Sequence, residues 1–288
     1  MFQPDFLPRF NLSVDYYNIK IDNVIGAPLP GDIISACFGN VTAASAADPA
    51  CTVIRRNPTT GGLDGDPATT PGLFGQTNNN GRLFTDGIDL LMNYNMDLGF
   101  ASLDWSFVGN WTHSSKFKSD VNLASSLNRE CVGYYSVNCS FTGSIQPEYQ
   151  FSNRFTLGFD KVDLSLLWRW QDSVSFEPAQ LQADLDAAID AGVDPVNGCP
   201  DPTGTDPNGC MVNPEFRKIK AAHYFDLTGR FSVSDNLTVT MTVQNLLDKK
   251  PPIVGNSIGS TTYNSGNTFP SSYDALGRRY AVSAKLKF

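Results

Sequence analysis

The chain has 288 residues, a net charge of −8 and only 21 Lys plus Arg. It is 41% hydrophobic and 17% charged, against about 45–50% and 25% in an average soluble domain. Sparse, outweighed basic residues exclude a nucleic-acid-binding face. No apolar run approaches the about 20 residues of a membrane-spanning helix. The opening stretch, MFQPDFLPRF, has no basic segment followed by an apolar core, so no signal peptide is expected in this chain.

Read in chain order, the dominant signal is period two. Phe10, Leu12, Val14 and Tyr16 alternate with Asn11, Ser13 and Asp15. Ile88, Leu90, Met92, Tyr94 and Met96 form a second apolar row, and Leu103, Trp105, Phe107, Gly109 and Trp111 a third. Phe151, Asn153, Phe155, Leu157 and Phe159 come next, then Val162, Leu164, Leu166, Trp168 and Trp170. Ala221, His223, Phe225, Leu227, Gly229 and Phe231 make the sixth row, and Leu237, Val239, Met241 and Val243 the seventh. Tyr280, Val282, Ala284, Leu286 and Phe288 close the chain. No Asp, Glu, Lys or Arg stands in any of these rows; the charges fall between them. Eight strands are expected, each with one face that never meets water and one that does.

The connections alternate strictly. Short turns are expected at Asp97-Leu98-Gly99, at Asp160-Lys161 and around Ser234-Asp235-Asn236. Long loops are expected over about 26–81, 119–145, 178–215 and 247–276, together more than half the chain. Fifteen of the 18 prolines lie in the first, third and fourth of these loops, Pro147 opens a strand, and none interrupts a strand interior. Structureless loops beyond about 12–15 residues are uncommon in a compact soluble domain. Four of them at one end of a meander fit an outer-membrane barrel. The expected fold is therefore all-β, an antiparallel transmembrane β-barrel segment of about eight strands with short periplasmic turns and long extracellular loops. Its apolar rows would face lipid and its polar rows a wet lumen.

The six cysteines fall two to a loop: Cys37 and Cys51, Cys131 and Cys139, Cys199 and Cys210. Three local disulfides are favoured over a metal site. There is no CxxC, and the two His residues, His113 and His223, lie in strands. Closing such short loops is worth about 2–3 kcal/mol each.

Two stretches near the C-terminus carry a family resemblance. Residues 237–252, LTVTMTVQNLLDKKPP, resemble the penultimate strand of TonB-dependent outer-membrane receptors, where Asn-Leu-Phe-Asp precedes Pro-Pro. The motif here is Asn245, Leu246, Leu247, Asp248, Pro251 and Pro252, with Leu247 in place of the usual Phe. Residues 273–288 look like the family's last strand, with the barrel-assembly signature Tyr280, Val282, Ala284, Leu286 and Phe288. LSVDYYNIKI at 12–21, DGID at 86–89 and HYFDLT at 223–228 are also similar.

The resemblance implies that 1–288 is the C-terminal portion of such a barrel, without plug domain or N-terminal strands. It implies an active transporter of a scarce nutrient of the siderophore, cobalamin or oligosaccharide type, in the outer membrane of a Gram-negative bacterium. Implied partners are outer-membrane lipid, the barrel assembly machinery, the TonB system through the plug, and a small-molecule ligand at the extracellular loops. A self-contained eight-stranded barrel with a structural or adhesive role is the alternative. A secreted glycan-binding β-sandwich is the third reading.

The loop 178–215 holds Asp184, Asp186, Asp190, Asp194, Asp201, Asp206 and Glu215 and no Lys or Arg, which is nearly all of the net charge. Without EF-hand spacing it reads as a solvated loop. Leu181, Leu185 and Ile189 within it suggest a short amphipathic helix. Trp105, Trp111, Trp168 and Trp170 stand in apolar rows, as an interfacial girdle would. Asp104, Asp163, Arg154, Arg169 and Arg230 stand in polar rows and are expected to form a structural charge ladder in the lumen. No catalytic constellation, phosphate loop or metal motif occurs, so no enzyme activity and no cofactor are expected.

Overall fold

The computed structural model describes residues 2–39, 41–62, 68, 72–73, 75–123, 129–136, 139, 145–177, 217–254 and 268–288. Eight long strands dominate. They are β1 (Phe10–Gly26), β2 (Asn78–Asp97), β3 (Ser102–Lys118), β4 (Tyr149–Gly158), β5 (Val162–Gln171), β6 (Ala222–Ser232), β7 (Leu237–Gln244) and β8 (Arg279–Leu286). They lie side by side in chain order in one sheet, and a two-residue strand, Arg129–Glu130, pairs off β3. From β3 to β8 every neighbouring pair is antiparallel. Among the described residues the sheet is open, with β1 and β8 at its edges.

The three short turns are tight. Leu98 N–H donates to the Ala101 carbonyl at 2.9 Å, and Gly99 takes φ 81°, which favours glycine. Phe159 N–H donates to Val162 at 2.8 Å, and Val233 N–H to Leu237 at 2.9 Å. A chain that reverses this sharply keeps period two in register. Apolar residues then meet apolar partners on the same face, as in Leu157 with Leu164 and Met241 with Val282. That apolar face is exposed at Val14, Leu164, Leu166, Leu227, Met241 and Val282. Contiguous exposed apolar surface on this scale suits hydrocarbon rather than water.

The loops depart from the expectation of structureless connections. The first carries helix α1 (Pro30–Phe38), helix α2 (Pro49–Thr52) and a strand pair, Ile54–Arg55 with Gly72–Leu73. The second contributes Tyr134–Tyr135 to a small sheet with the segments that flank the third, Val174–Phe176 parallel to it and Lys218–Ile219 antiparallel to Val174–Phe176. These segments are too short to show a period, and their pairing is non-local. β2 also begins at Asn78, earlier than the alternation indicates, because a backbone ladder continues through polar residues that carry no hydrophobic signal. β4 starts at Tyr149, two residues after Pro147. The predicted helix around Leu181, the pairing of Cys199 with Cys210 and the acidic residues of 178–215 lie outside the described residues.

The chain divides into two compact units, one of Met1–Tyr17, Asp86–His113 and Cys131–Phe288, the other of Asn18–Thr85 and Ser114–Glu130. Each has its own apolar cluster, built from loop residues. In the first, Tyr135, Ile145, Val174, Phe176, Ile219, Val254, Phe269 and Tyr273 gather on the start of β6 at Ala222 and Tyr224. In the second, Ile33, Cys37 and Ala50 pack with Val53, Ile54, Leu73 and Leu123.

Candidate functional site

The polar rows of β3 to β6 line a concavity of about 320 Å³ in the first unit. Its side chains come from alternate positions: Asn110 of β3, Gln150 and Ser152 of β4, Arg169 and Gln171 of β5 and Tyr224 of β6, with Asp89 of β2 beside them. Val108, Gly109, Phe151, Trp170 and Ser272 complete the lining, so polar side chains are interleaved with apolar surface. Asn110 donates to Asp89 at 2.8 Å and Thr112 donates to Asn110 at 2.9 Å. Arg169 is clamped: its guanidinium makes two bonds to the Asp226 carboxylate, at 3.1 and 3.2 Å, and lies 5.4 Å from the centre of the Tyr224 ring. A planar fork matched to a carboxylate this way is fixed in orientation.

Asp226 does a second job. It accepts the backbone N–H of Asn245 at 2.8 Å. Asn245 is fully buried and takes φ 51°, a left-handed conformation Asn tolerates better than most residues. Its side chain donates to the Lys249 carbonyl at 2.9 Å and accepts the Lys249 N–H at 2.8 Å. Asp248, at φ 52°, accepts the N–H of Arg278 at 3.0 Å and pairs with Lys250. The Lys250 ammonium, then the Arg278 N–H, hold the Asp248 carboxyl below the usual carboxylate range. The Asn-Leu-Leu-Asp motif thus ends β7, ties it to the entry of β8, and anchors on the same carboxylate that clamps Arg169.

The DGID stretch has an equally specific cause. A Cβ at Gly87 would stand 2.3 Å from the Trp111 carbonyl and 2.5 Å from the Tyr17 hydroxyl, so only glycine lets Tyr17 lie there. The Tyr17 hydroxyl then meets Thr112 at 3.3 Å and accepts from Asn110 at 3.2 Å. One residue earlier, Asp86 extends the apolar row of β2 by one step. It is held by His113 at 3.1 Å and by the Tyr16 hydroxyl at 3.4 Å.

The expected charge ladder is present in part as ion pairs and in part as neutral bonds. Arg230 faces Asp163 at 3.7 Å, Arg154 donates to Ser165 at 3.0 Å, and Asp104 accepts from Asn95. The tryptophans split by depth. Trp111 stacks with Tyr149, and Trp170 lies against Phe151 and His223, at the loop end of their strands. Trp105, against Phe155, and Trp168, against Phe225, lie further in. The C-terminal row Tyr280, Val282, Ala284 and Leu286 pairs with Val243, Met241, Val239 and Leu237, and Phe288 follows the strand.

Tyr135 and Tyr273 are almost wholly buried, and the Tyr135 hydroxyl has no hydrogen-bond partner among the described residues. Burial pushes the Tyr273 phenol up to about 12 and raises that of Tyr135 further. Disulfides close the loops at Cys37–Cys51 and Cys131–Cys139. In the second unit, Asp32 accepts from Arg129 at 3.1 Å and from Ser119 at 2.7 Å, joining the first long loop to the second.

The sequence profile of the family described as TonB dependent receptor-like, beta-barrel, matches residues 2–246. The chain belongs to this family. Among solved structures it is similar to a variant of the ferric enterobactin receptor PfeA from Pseudomonas aeruginosa in complex with enterobactin (TM-score 0.52, 16% identity). A second variant of that receptor gives a TM-score of 0.51 at 15% identity. Each likeness covers 97% of this chain and 29% of the receptor. The siderophore receptor PirA from Acinetobacter baumannii aligns at a TM-score of 0.48 and 15% identity, over 100% of this chain and 30% of PirA. No curated protein matches. The chain therefore spans under a third of the length of the receptors it aligns with, and at these identities the likeness shows the fold.

Within this TonB-dependent receptor barrel, alternation puts Arg169 in a polar row and HYFDLT contains Asp226, but no local signal joins the two. The two lie 57 residues apart in the chain. Asp89 stands in the DGID stretch, whereas Gln150 and Gln171 carry no motif. Alternation could have assigned each to the inward row, but not to one concavity.

Proposed function

We propose that this chain supplies part of the barrel wall of a TonB-dependent active transporter in the outer membrane of a Gram-negative bacterium. Its cargo is a scarce nutrient of the siderophore, cobalamin or oligosaccharide type. The observation that carries this reading is the two-faced sheet: one face apolar and exposed, the other polar and concave at its loop end. The open edges at β1 and β8 favour strands of a larger wall over a self-contained eight-stranded barrel. A scarce solute has to be bound tightly, and tight binding slows release. Energy relayed through TonB to a plug overcomes that slow release. The C-terminal row ending in Phe288 is the feature a barrel assembly machine would read.

The test is uptake by the host bacterium with and without the gene for this chain, using labelled ferric siderophores, cobalamin and oligosaccharides. Loss of one energy-dependent uptake activity on deletion is expected. If every uptake activity survives deletion, or the one lost is insensitive to an uncoupler, the transporter reading fails.

A further inference from the structure

Arg169 is the only cation lining the polar concavity, and Asp89 the only carboxylate, among the described residues. The Arg169 charge is already met: both guanidinium bonds go to Asp226, which is also fixed by the Asn245 N–H. What remains for a ligand is the Gln150 amide, the Ser152 and Ser272 hydroxyls and the surface of Val108 and Trp170, beside the exposed Asp89 carboxylate, which shares the Asn110 amide N–H groups with the Tyr17 hydroxyl. Burying or approaching a charge without a partner is costly, whereas neutral donors and acceptors match hydroxyl and amide groups.

We infer that Asp226 sets the ligand class of this wall: by cancelling Arg169 it leaves a site for an uncharged, hydroxyl- or amide-rich ligand and against a polyanion. This rests on the transporter reading above but deepens it, because it names the chemistry the wall accepts. Asp226 is a positioning residue, acting through Arg169 and touching no ligand itself.

The test measures binding, not uptake, so it stands apart from transport. Outer membranes carrying the native protein are titrated with two probes of similar size, a neutral ferric trihydroxamate and a trianionic ferric tris-catecholate. Native protein is expected to bind the neutral probe more tightly. Its affinity for the anionic probe should rise as salt screens the repulsion, while that for the neutral probe should not change. Asp226→Asn keeps an acceptor for the Asn245 N–H but frees the Arg169 charge. It should tighten anionic binding about tenfold and reverse the sign of its salt dependence, and a merely structural role would not reverse that sign. Arg169→Gln leaves the Asp226 charge uncancelled and should weaken anionic binding further. If Asp226→Asn fails to assemble, Asp89→Lys, on an exposed side chain, puts a free cation on the same wall and must give the same gain. Native protein that prefers the anionic probe and loses it with salt overturns the inference. So does an assembled Asp226→Asn or Asp89→Lys variant without the gain. Uptake that survives deletion of the gene, with this binding pattern intact, would count against transport alone.

Discussion

The strands and the loops of this chain solve opposite problems. On the strands, large apolar residues such as Leu164, Leu166, Met241 and Val282 are exposed, and the side chains that bond to one another are polar: Arg169 with Asp226, Thr228 with Thr242. In the loops the order is that of a water-soluble protein, with Ile33, Val174, Val254 and Tyr273 buried. One chain therefore carries an inverted sheet and upright loop cores. The medium decides the difference. Hydrocarbon rewards an apolar exterior and forbids unpaired backbone, which a sheet ladder satisfies. Loops that reach water must bury apolar groups against each other, and short segments need disulfides and ion pairs to do it.

Five experiments would break or sharpen this contrast. The largest effect is expected in the second unit, where Asp32 is 3% exposed and Arg129 11%. Arg129→Ala takes a cation from the buried Asp32 carboxylate, which keeps the Ser119 hydroxyl, and should cost about 3–5 kcal/mol, seen as loss of amide protection in α1. Protection unchanged there would mean the loop core does not depend on the pair. Next, Leu166→Arg on the exposed apolar face should cost about 2–4 kcal/mol in lipid vesicles by denaturant titration. Thr240→Arg on the opposite face of β7 should cost under about 1 kcal/mol. Equal costs on the two faces would abolish the inversion. Reducing Cys37–Cys51 should release about 2–3 kcal/mol and speed proteolysis of the first long loop while the strands stay protected.

The smallest effect is local and pH-dependent. The carboxyl of Asp248 is held below its ordinary range by Lys250 and Arg278. Its contribution is fully present above about pH 4 and is lost as pH falls through the lowered value. Exchange of the Arg278 amide should accelerate only in that acid window. Acceleration near neutrality would assign the tether to something else. At the alkaline end, burial should hold Tyr273 un-ionised until about 12, read by phenolate absorbance. Ionisation at the ordinary 10 would mean the loop cap admits water.

How much was legible follows from what each signal needs. Period two needs only neighbours in sequence, so the eight strands, their apolar faces and the three tight turns could be read from side chains two apart. The grouping of cysteines by loop gave Cys37–Cys51 and Cys131–Cys139 their partners for the same reason. The Asn245 motif could be recognised, but its physical cause could not: the carboxylate it leans on, Asp226, sits on the neighbouring strand. By itself, then, the sequence determined which residues alternate, where the chain turns, and that charge is kept out of one face, because these are local consequences of the two-residue repeat and of turn chemistry. Only the tertiary structure decided that Arg169 is neutralised, that Gly87 makes room for Tyr17, and that loop segments far apart build a shared core. Those depend on strand register, which brings together side chains dozens of residues apart.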